Sequence, residues 1–400
     1  CIPLRSGLNS SKKNHSRCLP LNRYLLLPSM TSPNVTIVVS PRERFSYTQT
    51  SLDSIYEHTQ FPFELVYVDG GSPRSIREYL AAQAMEKSFE LIRVDHLLTP
   101  NQARNIGLTQ VKTPYVVFVD NDVVVSPGWL GALVQCAEET GAAIVGPLTC
   151  QDEPVHETIH FANGVAHIIV DVKGRRRLRE KMSRQGQRVA DTMAKLQRTP
   201  AELVEFHCML VNMDVFKQMG PLDEGFLNTK EHLDLCMGVT EVGGSIYFEP
   251  MSLITYVPGI AWTWADLHLY MLRWSDAWET KSLAHLQQKW DLSEDAYFTQ
   301  KHKALGWRRR RMILSPLLDR LTLGLFKHRF FERVTFGLVK SRFLEKVVMY
   351  GLLSPVDRAL NKYLTDRHAR RWLSAPGRGL DTVAASAPSL GVLDENSSTA

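Results

Sequence analysis

The sequence predicts an α/β fold built on a parallel sheet with helices wound on both faces. Three observations predict it. Strand-like apolar runs alternate with helix-like segments in a regular rhythm from residue 36 to 120. One run, Tyr115-Val-Val-Phe-Val119, is unbroken, as a strand buried on both faces is, and it stops at Asp120-Asn121-Asp122. Several strands end in polar or Gly-rich loops, at Pro41–Arg44, Asp69–Ser72 and Asp120–Asp122, which a parallel sheet gathers at one edge.

In chain order, Thr36–Ser40 reads as a short buried strand. A helix fits Ser46–His58, with Ser46 as its N-cap. Glu64–Val68 is the second strand, broken at Asp69-Gly-Gly-Ser-Pro73, where glycine permits a tight turn. Ser75–Lys87 has a helical pattern, Phe89–Val94 a strand pattern, and Thr99-Pro100 opens a helix carrying Gln102–Gly107. Past the acidic turn, Pro127-Gly-Trp-Leu starts a helix reaching about Thr140, and Ala142–Pro147 is another strand. Phe161–Val172 reads as strand, and Arg175–Leu196 as a charged helix or mobile segment. Val204–Val211 reads as strand and Val215–Met219 as a short helix. Gly220–Phe226 is a loop, Lys230–Met237 has the apolar spacing of a buried helix start, and Ser245–Pro250 is a last strand.

The chain of 400 residues is long enough for one large or two ordinary domains, and 44% hydrophobic with 22% charged residues is a soluble globular composition. Net charge is +5, unevenly spread. Residues 301–371 hold 18 Lys/Arg against 5 Asp/Glu, a local balance of +13, which leaves the rest of the chain acidic. None of the six cysteines forms a C-x-x-C pair or a Cys/His metal spacing. Cys136, Cys208 and Cys236 sit in apolar surroundings and read as reduced core thiols of a cytosolic protein. No run of about 18 apolar residues suggests a membrane span. Neither G-x-G-x-x-G nor a P-loop occurs, so dinucleotide and P-loop phosphate binding are unsupported.

Asp120 and Asp122 carry the most chemistry. Two carboxylates one residue apart at a strand tip repel unless a cation lies beside them. Mg²⁺ or Mn²⁺ takes carboxylate oxygens and shares its remaining positions with phosphates. A metal–diphosphate site is the sharp reading; a polar turn closing the strand is the plain one.

Eight segments resemble glycosyltransferase family 2, and they come in that family's order. They are Thr36–Pro41, Val68-Asp-Gly-Gly-Ser72, Ala103-Arg-Asn-Ile-Gly107, Phe118-Val-Asp-Asn-Asp122, Cys208-Met-Leu210, Gly220-Pro-Leu-Asp-Glu-Gly-Phe226, Glu231-His-Leu-Asp-Leu235 and Tyr247-Phe-Glu-Pro250. The resemblance spans about Thr36 to Pro250. It implies a GT-A fold and an inverting transfer of a sugar from a nucleotide-diphosphate donor, of UDP type, to a hydroxyl acceptor, with Mn²⁺ or Mg²⁺. Carried over by position, Asp122 holds the metal, and Asp120 contacts the ribose or supports the metal. Pro41 and Glu43 line the nucleoside, and Asp69 contacts the base. Arg104 and Asn105 support the nucleotide pocket, with Asn121 between the two acids. Glu231-His232-Leu233-Asp234 falls on the motif that supplies the catalytic base. The chain departs from the pattern in three places. Gly70 stands where relatives often have a second acid. His232 stands where the base is usually Asp, so Glu231, His232 and Asp234 all remain candidates. Tyr256 falls where a metal-ligating His is common.

The resulting organisation is an extension over residues 1–33, a GT-A domain over 34–262, a basic amphipathic helical region over 263–374 and a disordered tail over 375–400. Leu267–Trp290 has a helical pattern that would cover the acceptor site. The basic apolar series from Trp307 reads either as a packed helical extension or as helices on an anionic membrane, placing the protein in the cytoplasm or on the inner face of the cytoplasmic membrane. The expected partners are the nucleotide-sugar donor, a glycan or lipid-linked acceptor and that membrane surface. No nucleic-acid module is recognisable. Two other classes stay open: a non-catalytic relative that binds nucleotide sugar or glycan, because His232 replaces the usual base, and a nucleotidyltransferase, which would release pyrophosphate.

Overall fold

A computed structural model describes residues 33–258, 266, 269 and 272–301. In chain order the elements are β1 (Val35–Ser40), α1 (Thr48–His58), β2 (Glu64–Gly70), α2 (Arg74–Lys87), β3 (Glu90–Val94), α3 (Pro100–Leu108), β4 (Tyr115–Asp120), β5 (Val123–Val125), α4 (Trp129–Thr140), β6 (Ile144–Gln151), β7 (Ile159–Phe161), β8 (Gly164–Val170), β9 (Arg176–Met182), α5 (Val189–Thr192), β10 (Thr199–Ala201), β11 (Cys208–Asn212), α6 (Met213–Met219), α7 (Glu231–Glu241), β12 (Ile246–Tyr256) and α8 (Asp276–Lys289). Among them no helix is long and apolar enough to cross a membrane. The expected extension over residues 1–32, the basic series from Trp307 and the tail from 375 lie outside the described residues.

The main sheet runs β10-β12-β6-β11-β4-β1-β2-β3, with β5 beside β12 and β7 beside β6. Strands β3, β2, β1 and β4 are mutually parallel, as the unbroken apolar runs predict. The other half is mixed, because β11 runs antiparallel to both β4 and β6. The chain winds outward from β1 to β2 and β3, then crosses back to β4 on the other side of β1. The carboxyl ends of β1 and β4 therefore flank a topological switch point, where open α/β sheets bind ligands.

Both faces of the sheet are covered. One buries Leu52 and Ile55 of α1, Leu80 of α2 and Trp129 and Leu133 of α4 against Ile37, Val117 and Val119. The other buries Ala103 of α3, Phe216 of α6 and Leu233 of α7 against Val38, Val116 and Phe118. Side chains alternate along a strand, so Asp120 extends the Val116–Phe118 row toward α3 and α7. α3 lies especially close to the sheet: a Cβ on Gly107 would sit 2.4 Å from Val38 Cγ1. Gly107→Ala is therefore expected to lower the urea unfolding free energy. Overpacking costs about 1–3 kcal/mol against at most about 1 kcal/mol regained in helix propensity.

Four sequence expectations need correction. Arg175–Leu196 is not a long helix. Arg176–Met182 forms β9, paired along its whole length with β8 in a separate antiparallel hairpin, and only Val189–Thr192 is helical. Arg, Glu, Lys and Met suit helices, but Leu178 is buried by the hairpin, and tertiary packing overrides that preference. Ser46 does not cap α1. The helix starts at Thr48 after Tyr47, because the Ser46 amide donates to Asp266 Oδ1 (3.0 Å) and its hydroxyl accepts from Arg44 Nε (2.9 Å). The strand expected from Val204 starts only at Cys208, since the residues before it turn in toward the end of β4. The last strand continues through Tyr256, past Pro250, by a register shift between Glu249 and Leu253 that lets it pair with β6 again.

Candidate functional site

The site is assembled at the ends of β1 and β4, where Ser40 stands opposite Asp120. Asn121 shapes the loop leaving β1. Its Oδ1 accepts from the Arg42 amide (3.3 Å), and its Nδ2 donates to the Arg44 carbonyl (2.7 Å) and Thr48 Oγ1 (3.0 Å). The loop's far end is held by Asp266, whose Oδ1 accepts from the Phe45 amide (2.7 Å). Pro41, Arg42 and Glu43 are buried as a result.

So held, Arg42 bridges two carboxylates, with Nη1 3.2 Å from Asp120 Oδ2 and Nη2 3.2 Å from Glu231 Oε1. Arg104, from α3, makes the same bridge from the other side, 3.0 Å from Asp120 Oδ1 and 3.7 Å from Glu231 Oε1. Its guanidinium lies 4.0 Å over the Phe206 ring. Strand tip and α7 are thus joined through two buried guanidiniums. Burial alone would raise the pKa of both carboxylates. For Asp120, Arg42, the His207 hydrogen bond and Arg104 outweigh it and hold the group well below the usual carboxylate range. For Glu231, Arg42, His232 and Arg104 bring the value down to about 2.

Asp122 is the opposite case. It is fully buried, and neither carboxylate oxygen has a hydrogen-bond partner. Burial first, then the charges of Glu43 and Asp120, push its pKa well above normal. Two acids one residue apart are thus driven in opposite directions. A buried carboxylate without donors is costly, and a bound cation removes that cost. The residues fit a hard divalent ion: Asp122 offers two free oxygens, and ligand atoms of Asp120, Asp122 and His207 lie within 4.8 Å of one another.

The three base candidates separate clearly. Asp234 is engaged elsewhere: its Oδ2 takes Lys289 Nζ (2.9 Å), its Oδ1 takes Trp290 Nε1 (2.9 Å), and burial raises its pKa. Glu231 is pinned between the two arginines. His232 is 7% exposed with no hydrogen bond at Nδ1, and burial lowers its pKa to about 4, so it is neutral at pH 7. α7 is entered through its N-cap Lys230, which has a left-handed φ of 71° and whose Nζ donates to both oxygens of Glu180 on β9 (3.0 and 2.8 Å).

The remaining candidates fall around this centre. Glu43 is buried with Oε1 3.7 Å from Arg273 and Oε2 without a partner. Asp69, at the end of β2, turns back to accept from Ser72 N (3.2 Å), Ser72 Oγ (2.8 Å) and Arg93. Asn105 is not brought together with Arg104. It faces the Gly220–Phe226 loop, donating to the Leu222 carbonyl (2.8 Å) and Glu224 (2.9 Å) and accepting from the Leu222 amide (2.9 Å).

Arg42, Arg273 and His207 were not singled out from the sequence. His207 had a usable signal. It directly precedes the Cys208-Met-Leu segment, and the antiparallel pairing of Cys208 with Val119 sets it beside Asp120, 3.0 Å from Nδ1 to Oδ2. Tyr256, where relatives often carry His, stacks on the His207 ring at 4.0 Å. An imidazole is therefore present at this edge, supplied by the residue before β11 instead of the end of β12.

Residues 36–218 match the family described as glycosyl transferase family 2. This stretch, somewhat under half of the chain, is similar to family 2 glycosyltransferase domains. It takes in Pro41 through Asp122 and His207, while Glu231–Asp234 lie beyond the matched span. Two curated relatives align with the domain. The pre-mycofactocin glycosyltransferase of Mycobacterium tuberculosis is 25% identical over 231 residues, 56% of this chain and 42% of that protein. The O-antigen biosynthesis protein RfbC of Myxococcus xanthus is 28% identical over 129 residues, 32% of this chain and 10% of that protein. The chain thus spans less than half the length of the curated relatives it matches. A crystal structure of GalNAc-T7 with UDP, GalNAc and Mn²⁺ superposes with a TM-score of 0.46 at 16% identity, covering 75% of this chain and 58% of that one. The matched stretch contributes most strands of the mixed α/β sheet described above.

Proposed function

We propose that this chain transfers a sugar from a nucleoside-diphosphate sugar, of UDP type, to a hydroxyl group of a glycan or lipid-linked acceptor, by single displacement with inversion. The observation that carries this reading is the partnerless carboxylate of Asp122, set at the same sheet edge as Glu231 and His232 through Arg42 and Arg104. A divalent cation, Mn²⁺ or Mg²⁺, on Asp122 and Asp120 would supply Lewis-acid stabilisation to the departing diphosphate. Arg42, Arg104 and His207 keep Asp120 ionised and fixed. Pro41 and Glu43 border the nucleoside, and Asp69 meets its base. Asn121 holds the β1 loop in place, and Asn105 holds the 220–226 loop.

His232 is the general base in this scheme. Its imidazole takes the acceptor hydroxyl's proton as the oxygen attacks the anomeric carbon, a contribution of about 10²–10⁴ in rate. Glu231 stays ionised and stabilises the imidazolium that forms. Asp234 anchors α7. With O-antigen biosynthesis named among the relatives, a cell-envelope polysaccharide is the acceptor class favoured. The basic series over 301–371 supports work at the inner face of an anionic membrane.

The decisive experiment incubates the protein with a panel of nucleotide sugars and Mn²⁺ and identifies the released nucleotide. A nucleoside diphosphate is the expected product. Pyrophosphate would make the chain a nucleotidyltransferase, and no turnover with tight donor binding would make it a binding protein. Two pH results should accompany it. Turnover should hold from neutral pH down to about 4 and fall below, where His232 takes up a proton. Stability follows the same group. Between about pH 6.5 and 4 the unfolded imidazole binds a proton that the folded one refuses, so stability is complete above 6.5 and is lost as pH falls through this window. The loss is about 3 kcal/mol relative to His232→Asn, read as the difference in unfolding free energy between the two proteins across that range.

A further inference from the structure

Behind the Asp120–Asp122 edge lies a second convergence of ligand atoms, on His160, Glu205 and His207, all within 4.8 Å of one another. The hydrogen bonds around the two imidazoles fix which nitrogens are free. Asp120 is an acceptor between two arginines, so His207 Nδ1, 3.0 Å away, is the nitrogen that donates to it, and Nε2 is the one turned toward Glu205. On β7, His160 Nδ1 lies 2.9 Å from Gln151 Oε1. That amide is oriented by its own Nε2, which donates to Asp152 Oδ2 (3.2 Å), so the oxygen faces His160 and His160 Nδ1 is the donor. His160 Nε2 is therefore the nitrogen turned toward Glu205 as well.

Both Nε2 atoms face one oxygen. Glu205 Oε2 is 3.0 Å from His160 Nε2 and 4.0 Å from His207 Nε2, and although burial opposes it, the two imidazoles hold this carboxyl well below the usual carboxylate range. Three electron-rich atoms meet in a site where these side chains are only 7–13% exposed. Tyr256 sets both ring planes, stacking on His207 and meeting His160 edge-on at 4.9 Å. The buried carboxylate calls for positive charge among these three atoms, which a cation held by both Nε2 atoms and Oε2 would supply.

We propose that His160 Nε2, His207 Nε2 and Glu205 Oε2 hold a transition-metal cation of the zinc class, distinct from the ion on Asp122. Two imidazoles and a carboxylate suit Zn²⁺ or Co²⁺ far better than Mg²⁺. Asp120 takes the part a carboxylate plays behind a metal-bound histidine: it accepts the Nδ1 proton, orients the ring and makes Nε2 a better donor. Because that proton is already committed, His207 serves this cluster and not the carboxylate pair. The cation would tie β7 to the chain entering β11 and hold His207 against Asp120. The inference does not depend on the transfer reading.

The test strips the full chain of metal with a chelator and titrates it with Zn²⁺ or Co²⁺, following stoichiometry by calorimetry and nitrogen coordination by the visible absorption of bound Co²⁺. Asp122→Asn, which lacks the other ion's main ligand, should still bind one equivalent with a nitrogen-ligated Co²⁺ spectrum like that of the wild type. Affinity should fall at least about tenfold in His160→Gln and in Glu205→Gln, each checked for native far-UV and near-UV circular dichroism. Two variants at different ligands keep the test informative if one misfolds. The proposal is overturned if Asp122→Asn removes the Co²⁺ spectrum while His160→Gln leaves it intact. It is also overturned if no stoichiometric binding occurs and NMR finds His160 protonated at pH 7, making a plain ion pair with Glu205. Mn²⁺-dependent donor turnover, measured on the same preparations, reports on the transfer reading separately.

Discussion

Asp122→Asn should remove nucleotide-sugar turnover, by at least about 10³-fold, while raising the melting temperature of the metal-free protein. Both effects come from one feature: a wholly buried carboxylate with neither oxygen hydrogen-bonded. Without a cation the ionised form is opposed by burial, by Glu43 and by Asp120, which is why its pKa is raised. The folded protein thus loses stability as pH rises through that raised value, and the variant's advantage should grow from acid to neutral pH. Each kcal/mol relieved is worth about 2–4 °C for a domain of this size. In the wild type Mn²⁺ should reverse the order, since binding at 100 times Kd adds about 2.7 kcal/mol and the variant lacks the site. The rate effect follows from losing several kcal/mol of stabilisation at the departing diphosphate. Scanning fluorimetry with EDTA or Mn²⁺ at pH 5–8, beside a donor turnover assay, checks both parts. A variant that melts lower without metal would show that Asp122 has a structural partner after all.

Arg42→Met should destabilise the fold by about 3–5 kcal/mol, a large share of the stability of an ordinary domain. Arg42 is 8% exposed and carries the shortest contact to Glu231, at 3.2 Å. Without it Asp120 retains Arg104 and His207, but Glu231 keeps only Arg104 at 3.7 Å. An uncompensated buried carboxylate remains. Adding Glu231→Gln should recover part of the loss, because the stranded charge is then gone. Urea unfolding of the two single variants and the double variant gives the coupling energy directly. Simple additivity would mean that the guanidinium does not bridge the two segments.

The parallel half of the sheet was legible because doubly buried strands leave unbroken apolar runs, as in Tyr115–Val119. The acidic tip was legible because charge cannot continue such a run. The β8–β9 hairpin was not. Arg176–Met182 lacks alternation and is rich in residues that suit helices, and its strand state comes from pairing with Gly164–Val170. Within the site, Asp120, Asp122, Glu231 and His232 could be read from local patterns, but their division of labour could not. Asp234 is bound by Lys289 and Trp290, more than fifty residues on, and Arg104 looks like any helix-surface charge until α3 packs it under Phe206. Arg273 reaches Glu43 from far along the chain, and no spacing rule joins them.

Lys230 faces two demands that no single amino acid meets without strain. Its left-handed backbone would suit glycine, while the clamp on Glu180 requires a long cationic side chain. Lysine at this position keeps the clamp and bears the backbone cost. Glycine would ease the backbone and cut the tether, leaving the helix that presents His232 free to swivel about its first residue. Residue 230 is thus a pivot locked by its own side chain, and the aim of the imidazole depends on the hairpin that carries Glu180.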